Sequence, residues 1–259
     1  MYTSYSTHLL PQIDRQIYWK EVIGQSYFPL ELSFRDPSQF YGSLTRLSLG
    51  DLGISYLMSS PTCFERVAQD INTEIPYYLI TLPLKNRALF SQSNHEISCG
   101  PDTFILERSD LPYRFSYEKD NALWVIRVPV DALAAKVRDP EKYLYMEFDR
   151  RQGVGAVFYD YLRSVVKQSI YTSSYNQAVL SNQLIELLAF TLNNDERIIT
   201  SNEDGIRRTH LQNIETFVHE NLSRIDLTPE VISNACNIST GYLHKLFKES
   251  DQTISQWIK

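Results

Sequence analysis

The chain has 259 residues, 43% of them hydrophobic, 22% charged and 12% aromatic, with a formal net charge of −6. This suits one large globular domain or two smaller ones, and it excludes wholesale disorder, which goes with few aromatics. The acidic balance excludes coating of nucleic acid or membrane by bulk charge. Apolar runs such as Tyr77–Leu84 and Leu184–Leu192 are too short for the roughly 18–20 residues that cross a bilayer.

Cys63, Cys99 and Cys236 are odd in number, widely spaced and never in a C-x-x-C pair, so neither a zinc framework nor a disulfide framework is expected. The first residues, Met1-Tyr-Thr-Ser-Tyr-Ser, carry neither a basic n-region nor an apolar h-region. The expected location is therefore cytoplasmic.

From about Ser43 to Val128 the apolar residues recur at period two: Leu52, Ile54, Tyr56 and Met58, then Tyr78, Ile80, Leu82 and Leu84. Closely spaced turn residues, such as Gly50-Asp51, Gly100-Pro101-Asp102 and Lys119-Asp120-Asn121, cut this stretch into short strands. The pattern predicts an antiparallel sandwich or barrel with one face of each strand inward. Pro129 ends the last long strand. The period then changes. Asp131–Val137 predicts a short helix, and Gly155–Ile170 a longer one. A second long helix starts at Ser174-Tyr-Asn-Gln177, a capping box, and carries Leu180, Leu184, Leu187 and Leu188 on one stripe. The polar stretch 195–205 reads as a linker.

The C-terminal segment 206–259 is the most informative. Thr228-Pro229 is an N-cap followed by proline at the first helical position, opening a short helix to Cys236. Ser239 caps a second helix, Thr240–Glu249, with Tyr242, Leu243, Leu246 and Phe247 on its inner side. Its outer side carries Thr240, Gly241, His244, Lys245 and Lys248. Two short helices joined by a tight turn make a helix-turn-helix, whose outer face can read base edges or phosphates in a major groove. The same face also fits an ordinary solvated surface, and spacing alone leaves both readings open.

The string Leu227-Thr-Pro-Glu-Val-Ile-Ser-Asn-Ala-Cys-Asn-Ile-Ser-Thr-Gly-Tyr-Leu-His-Lys-Leu-Phe-Lys-Glu resembles the first helix-turn-helix of AraC/XylS-type transcription regulators. Thr253–Lys259 is similar to the start of the helix that joins the family's two units. The resemblance places the family's base-facing positions on Gly241, His244 and Lys245; glycine is a departure, having no side chain to read a base. It also implies that the DNA-binding domain is truncated before its second unit, so that DNA binding by this chain is weak.

More weakly, residues 20–135 resemble the cupin-like sensor domain of one branch of that family. The resemblance rests on Cys63-Phe-Glu-Arg66, Tyr77–Leu84, Gly100-Pro-Asp102, Leu111-Pro-Tyr113 and Leu123–Pro129. The implied architecture is α+β: an antiparallel β jelly-roll (cupin-like) domain over 1–150, a helical hairpin over 151–194, a linker over 195–205 and a small all-α domain over 206–259. The implied function is a sequence-specific DNA-binding regulator that senses a small-molecule effector. The implied partners are DNA, the effector, a second copy of the chain and RNA polymerase, with no membrane.

Candidate effector-binding residues are Arg66, Tyr78, Tyr113, Trp124 and Arg127, because an arginine on an apolar strand can hold a carboxylate and aromatics line ligand pockets. Their plainer readings are structural ion pairs and core. Leu180, Leu184, Leu187 and Leu188 are the candidate dimerisation stripe, with an intramolecular core as the alternative. Only His8 and His95 precede residue 205, too few for a cupin metal site, and no nucleophile motif occurs. Neither a cofactor, a metal nor an enzymatic activity is expected. A rival reading keeps the helix-turn-helix but has the N-terminal domain bind a protein partner.

Overall fold

A computed structural model describes residues 2–68, 71, 75–93 and 95–194, and beyond these residues 214, 217, 218, 221, 227–236, 238–241, 243 and 247. The chain divides into two compact units, Met1–Asn194 and Asp195–Lys259.

The first unit is built on two antiparallel sheets. The larger contains β1 (Tyr2–Ser6), β3 (Gly42–Leu49), β4 (Leu52–Ser59), β6 (Tyr77–Pro83), β9 (Thr103–Arg108), β11 (Asn121–Pro129) and β12 (Glu147–Asp149), in the order β1-β3-β4-β11-β6-β9-β12. The smaller contains β2 (Glu31–Phe34), β5 (Thr62–Arg66), β7 (Ala88–Gln92), β8 (His95–Cys99) and β10 (Tyr113–Ser116), in the order β2-β5-β10-β7-β8. This is the β-rich domain that the period-two pattern predicts, in the cupin-like form that the family resemblance implies.

The one-sided burial expected of its strands is not observed at the centre of the larger sheet. Six consecutive residues of β6, Tyr78–Pro83, are all buried. One face of that sheet meets the smaller sheet. The other meets α2 (Val130–Ala134), α3 (Gly153–Gln168) and α4 (Ser174–Asn193), so its central strands are covered twice, as in sheets packed between layers. The cap of α4 lies one residue earlier than expected: Ser173 accepts from the Asn176 amide, and the Gln177 side chain instead bonds the Ser169 and Thr172 carbonyls.

A long helix, α1 (Gln12–Ser26), precedes the region read as strands. Its inner side supplies Trp19, Val22 and Ile23 to the core between the sheets, while Ile13 and Ile17 stay exposed. Trp19 packs at 6.0 Å from Phe40, over the backbone of Gly42. Gly42 is also tied to Thr7 by two hydrogen bonds of 2.9 Å.

The second unit has its own apolar cluster of Ile214, Val218, Ile232, Leu243 and Phe247. The helix α5 (Pro229–Ala235) is capped by Thr228, which accepts from the Val231 amide, and Pro229 stands at its first turn. Among the described residues that follow, Thr240, Gly241, Leu243 and Phe247 have helical backbone. Leu243 donates to the Ser239 carbonyl at 2.9 Å, and Ile238 to that of Ser233 at 2.9 Å.

A Cβ at position 42 would lie 2.8 Å from the Trp19 ring. Gly42→Ala is expected to push α1 off the sheet and to destabilise the first unit by about 1–3 kcal/mol, as overpacked cores are. Urea unfolding followed by Trp fluorescence measures it; an unchanged midpoint contradicts the tight seat described.

Candidate ligand site inside the barrel

The inner face follows from strand parity. In β11, Leu123, Val125 and Arg127 face the space between the sheets, and Trp124 and Ile126 face the helices. The register sets Val125 beside Thr81 of β6 and Ser55 of β4, and Glu107 of β9 beside Leu79 of β6. The smaller sheet contributes Phe64, Tyr113 and Phe115, and the end of α1 contributes Ile23, Tyr27 and, just beyond it, Leu30. With Leu57, Leu79, Thr81, Glu107, Leu123 and Val125 of the larger sheet they line a cavity of about 50 Å³, apolar apart from Thr81, Glu107 and the tyrosine hydroxyls.

The end of α1 closes the space, and side chains from both sheets hold it there. A helix C-terminus leaves its last carbonyls without in-helix partners. Arg46 of β3 donates to the Gln25 carbonyl at 3.3 Å, and Arg127 to those of Ser26 and Tyr27 at 3.2 and 3.1 Å. From the opposite sheet, Arg66 donates to the Pro29 carbonyl at 2.8 Å. The last turn of α1 carries no basic residue of its own, so these three cations from the sheets complement the negative end of its dipole. Arg66 also stacks over Phe28 at 4.4 Å, and Arg127 over Tyr77 at 4.8 Å.

Glu107 is the one acidic or basic side chain lining the cavity, and it is 2% exposed. The Thr81 hydroxyl bonds its carboxyl, but Oε1 has no hydrogen-bond partner among the described residues. Burial raises this carboxyl from 4.5 to about 8, against a smaller lowering by Thr81. The Tyr27 hydroxyl, bonded to Ser55, is pushed up to about 12, chiefly by burial, and burial also raises Tyr113.

Of the five residues expected to bind an effector, Tyr113 lines the cavity. Arg66 and Arg127 lie on the same inner faces, and both donate to the backbone after α1. Tyr78 and Trp124 have the wrong parity. Tyr78 faces the helices, donates to Glu141 at 2.9 Å and lies under Arg108, and Trp124 packs on Tyr56 at 5.1 Å. Glu107, Tyr27, Thr81 and Phe64 were not foreseen. The one signal for Glu107 is an acid in step with inward Ile105 on the apolar strand Thr103-Phe-Ile-Leu-Glu-Arg108.

The leucine stripe of α4 does not face outward as a whole. Leu184 and Leu188 are buried inside this chain because α4 is packed against α3, α2 and β3, while Leu180 and Leu187 are half-buried. The exposed apolar side chains of the hairpin are Val157, Ile170, Tyr171, Tyr175, Val179 and Phe190. In the second unit Gly241 is exposed, but Thr240 is half-buried with its hydroxyl 3.0 Å from that of Ser233, so it is turned toward α5. His244, Lys245 and Lys248 lie outside the described residues. Among the described residues, no three His, Cys, Asp or Glu come together to hold a metal, and no helix is long and apolar enough to cross a membrane.

Comparison with known proteins places this geometry. The family defined by an AraC-binding-like domain matches residues 19–193. A protein of Bacillus sp. (strain OxB-1), described as lying in the nit 5′ region, is 25% identical over 251 residues, covering 95% of this chain and 97% of its own. The crystal structure of the AraC-like transcriptional activator CuxR superposes with a TM-score of 0.63 at 18% identity, covering all of this chain and 92% of that one. That likeness shows a shared fold.

The Glu107 carboxyl gives the first unit a pH-dependent stability whose sign is fixed. Between pH 4.5 and about 8 the unfolded chain has lost this proton and the folded chain has kept it, so rising pH favours unfolding across that window. Glu107→Gln, which mimics the neutral acid, is expected to raise the melting temperature little at pH 5 and by several degrees at pH 8. Thermal unfolding at the two pH values checks it; equal shifts contradict a neutral buried carboxyl.

Proposed function

We propose that this chain, which belongs to the AraC-binding-like domain family, is a transcription regulator that senses a small molecule inside its barrel and binds DNA through residues 206–259. The observation that carries the sensing half is the cavity itself. A barrel serving only as scaffold fills with side chains, whereas this one keeps a space lined by a carboxyl oxygen without a partner among the described residues. Buried polar atoms are normally paired, and exceptions gather at functional sites.

The DNA-binding half is supported by the string Leu227–Glu249 and by the capped α5 with its apolar cluster. CuxR, a transcriptional activator of like fold, points the same way. In this reading His244 and Lys245 read bases, Lys248 holds a phosphate, Gly241 lets the helix approach the groove, and Thr240 braces the helix against Ser233. The exposed apolar residues of α3 and α4, Val157, Val179 and Phe190 among them, serve pairing with a second copy.

Two experiments test the two halves. For DNA, a binding site is selected from a random pool with the full chain. Lys245→Ala is expected to lose about 1–3 kcal/mol on the selected site only, while Lys248→Ala weakens all sequences and lowers the salt slope by about one. An unchanged affinity for Lys245→Ala rejects base reading by that residue. For sensing, a small-molecule library is screened by thermal shift against the parent and against Val125→Phe, which fills the cavity. Ligands that stabilise the parent should leave the filled variant unmoved; equal stabilisation of both rejects the barrel as the site.

A further inference from the structure

We propose that the effector is a primary amine of one or two carbons whose ammonium group pairs with Glu107 while its short alkyl group lies against Leu79, Leu123 and Val125. The assignment rests on the barrel being the sensing site and adds the chemistry that the site selects. Four observations lead to it.

Among the described residues the cavity wall holds one carboxyl and neither lysine nor arginine, so the ionised form of that carboxyl has no counter-ion along the space. Its Oε1 has no hydrogen-bond partner among them although the residue is 2% exposed, and what it lacks is a donor. An ammonium group supplies both the donor and the missing charge. Next, the rings of Tyr27, Phe64, Tyr113 and Phe115 line the same space, and aromatic walls favour a cation over an anion. The arginines that could have bound an acid, Arg66 and Arg127, are instead turned to the carbonyls after α1. Last, the volume sets the size. About 50 Å³ is a third of the roughly 150 Å³ that accommodates a benzene ring, so the space admits an amine of one or two carbons.

Binding of this kind moves a proton. The neutral carboxyl releases its proton to solvent, the ammonium arrives with its own, and the complex holds a carboxylate–ammonium pair with one proton set free. Below about pH 8 the affinity then rises with pH, approaching tenfold per unit. The other groups facing Glu107 do not titrate in that range. Tyr27 at the end of α1 and Cys99 at the end of β8 are each raised to about 12, burial holds Tyr113 of β10 well above the usual phenol range, and Thr81 of β6 does not ionise.

The test compares methylamine, methanol and formate on the full parent chain, by thermal shift and by calorimetry in two buffers of different ionisation heat. Methylamine is expected to bind at least tenfold tighter than either of the others at pH 7.5, with most of one proton released. Glu107→Gln is expected to abolish that preference. The comparison on the parent does not depend on the variant folding. Equal or tighter binding of methanol or formate overturns the amine and leaves the barrel as a ligand site. So does methylamine binding without proton release. Absence of methylamine binding also overturns it, and the fate of the barrel is then decided separately by the cavity-filling variant. Persistence of the preference in Glu107→Gln removes Glu107 from the site.

Discussion

The seat of α1 is the constraint on which the first unit depends. Its C-terminal carbonyls are satisfied by Arg46 and Arg127 from one sheet and, just beyond the helix, by Arg66 from the other. Three cations on two sheets converge on one segment, so that segment strings the sheets together and shuts the space between them. Ile23 and Tyr27 then face inward as part of the wall. The helix end, the two arginines over Phe28 and Tyr77, and the cavity are one arrangement.

The same arrangement explains how a carboxyl can sit where it does. Glu107 breaks the rule that an inward position on a central strand is apolar, and one hydroxyl from Thr81 is its compensation. Natural chains depart from local consistency at functional sites and compensate elsewhere. Here the surrounding barrel is closely packed, with Trp19, Phe40, Leu44, Phe90 and Ile105 each fully buried, and it holds the departure in place. Residue 107 also contrasts with its neighbour. Arg108 has the opposite parity and meets Asp110, Glu141 and the Tyr78 ring on the outer face, so adjacent charges on β9 have opposite circumstances.

Much of the fold was legible in the sequence because period two survives wherever strands are short and turns frequent. Less of the site was. Parity fixes which residues share a face, but which face is inner depends on what covers the sheet, and the larger sheet is covered on both sides. Tyr78 and Trp124 therefore looked as inward as Tyr113, and only the register and the helices distinguish them. Arg66 and Arg127 stood out on apolar strands as they should, yet the groups that claim them are backbone carbonyls of a distant segment, which no side-chain pattern announces. The helix supplying those carbonyls was itself hidden, because Ile13 and Ile17 point outward and blur its apolar stripe. In α4 the leucines lie on one stripe as read, but that stripe was claimed by the chain's own α3, α2 and β3.

The arginine clasp has a consequence for the order in which the molecule is made. Arg127 lies 101 residues after the Ser26 carbonyl it holds. At about 5–20 residues per second, a ribosome takes roughly 5–20 seconds to cover that distance. Until that interval ends, α1, a 15-residue helix of weak amphipathic character, has at most part of its sheet and lacks the caps from Arg127, and isolated helices of that length are marginal in water. The first helix synthesised is thus among the last to set. The space that it closes comes into being only once β11 has joined its neighbours.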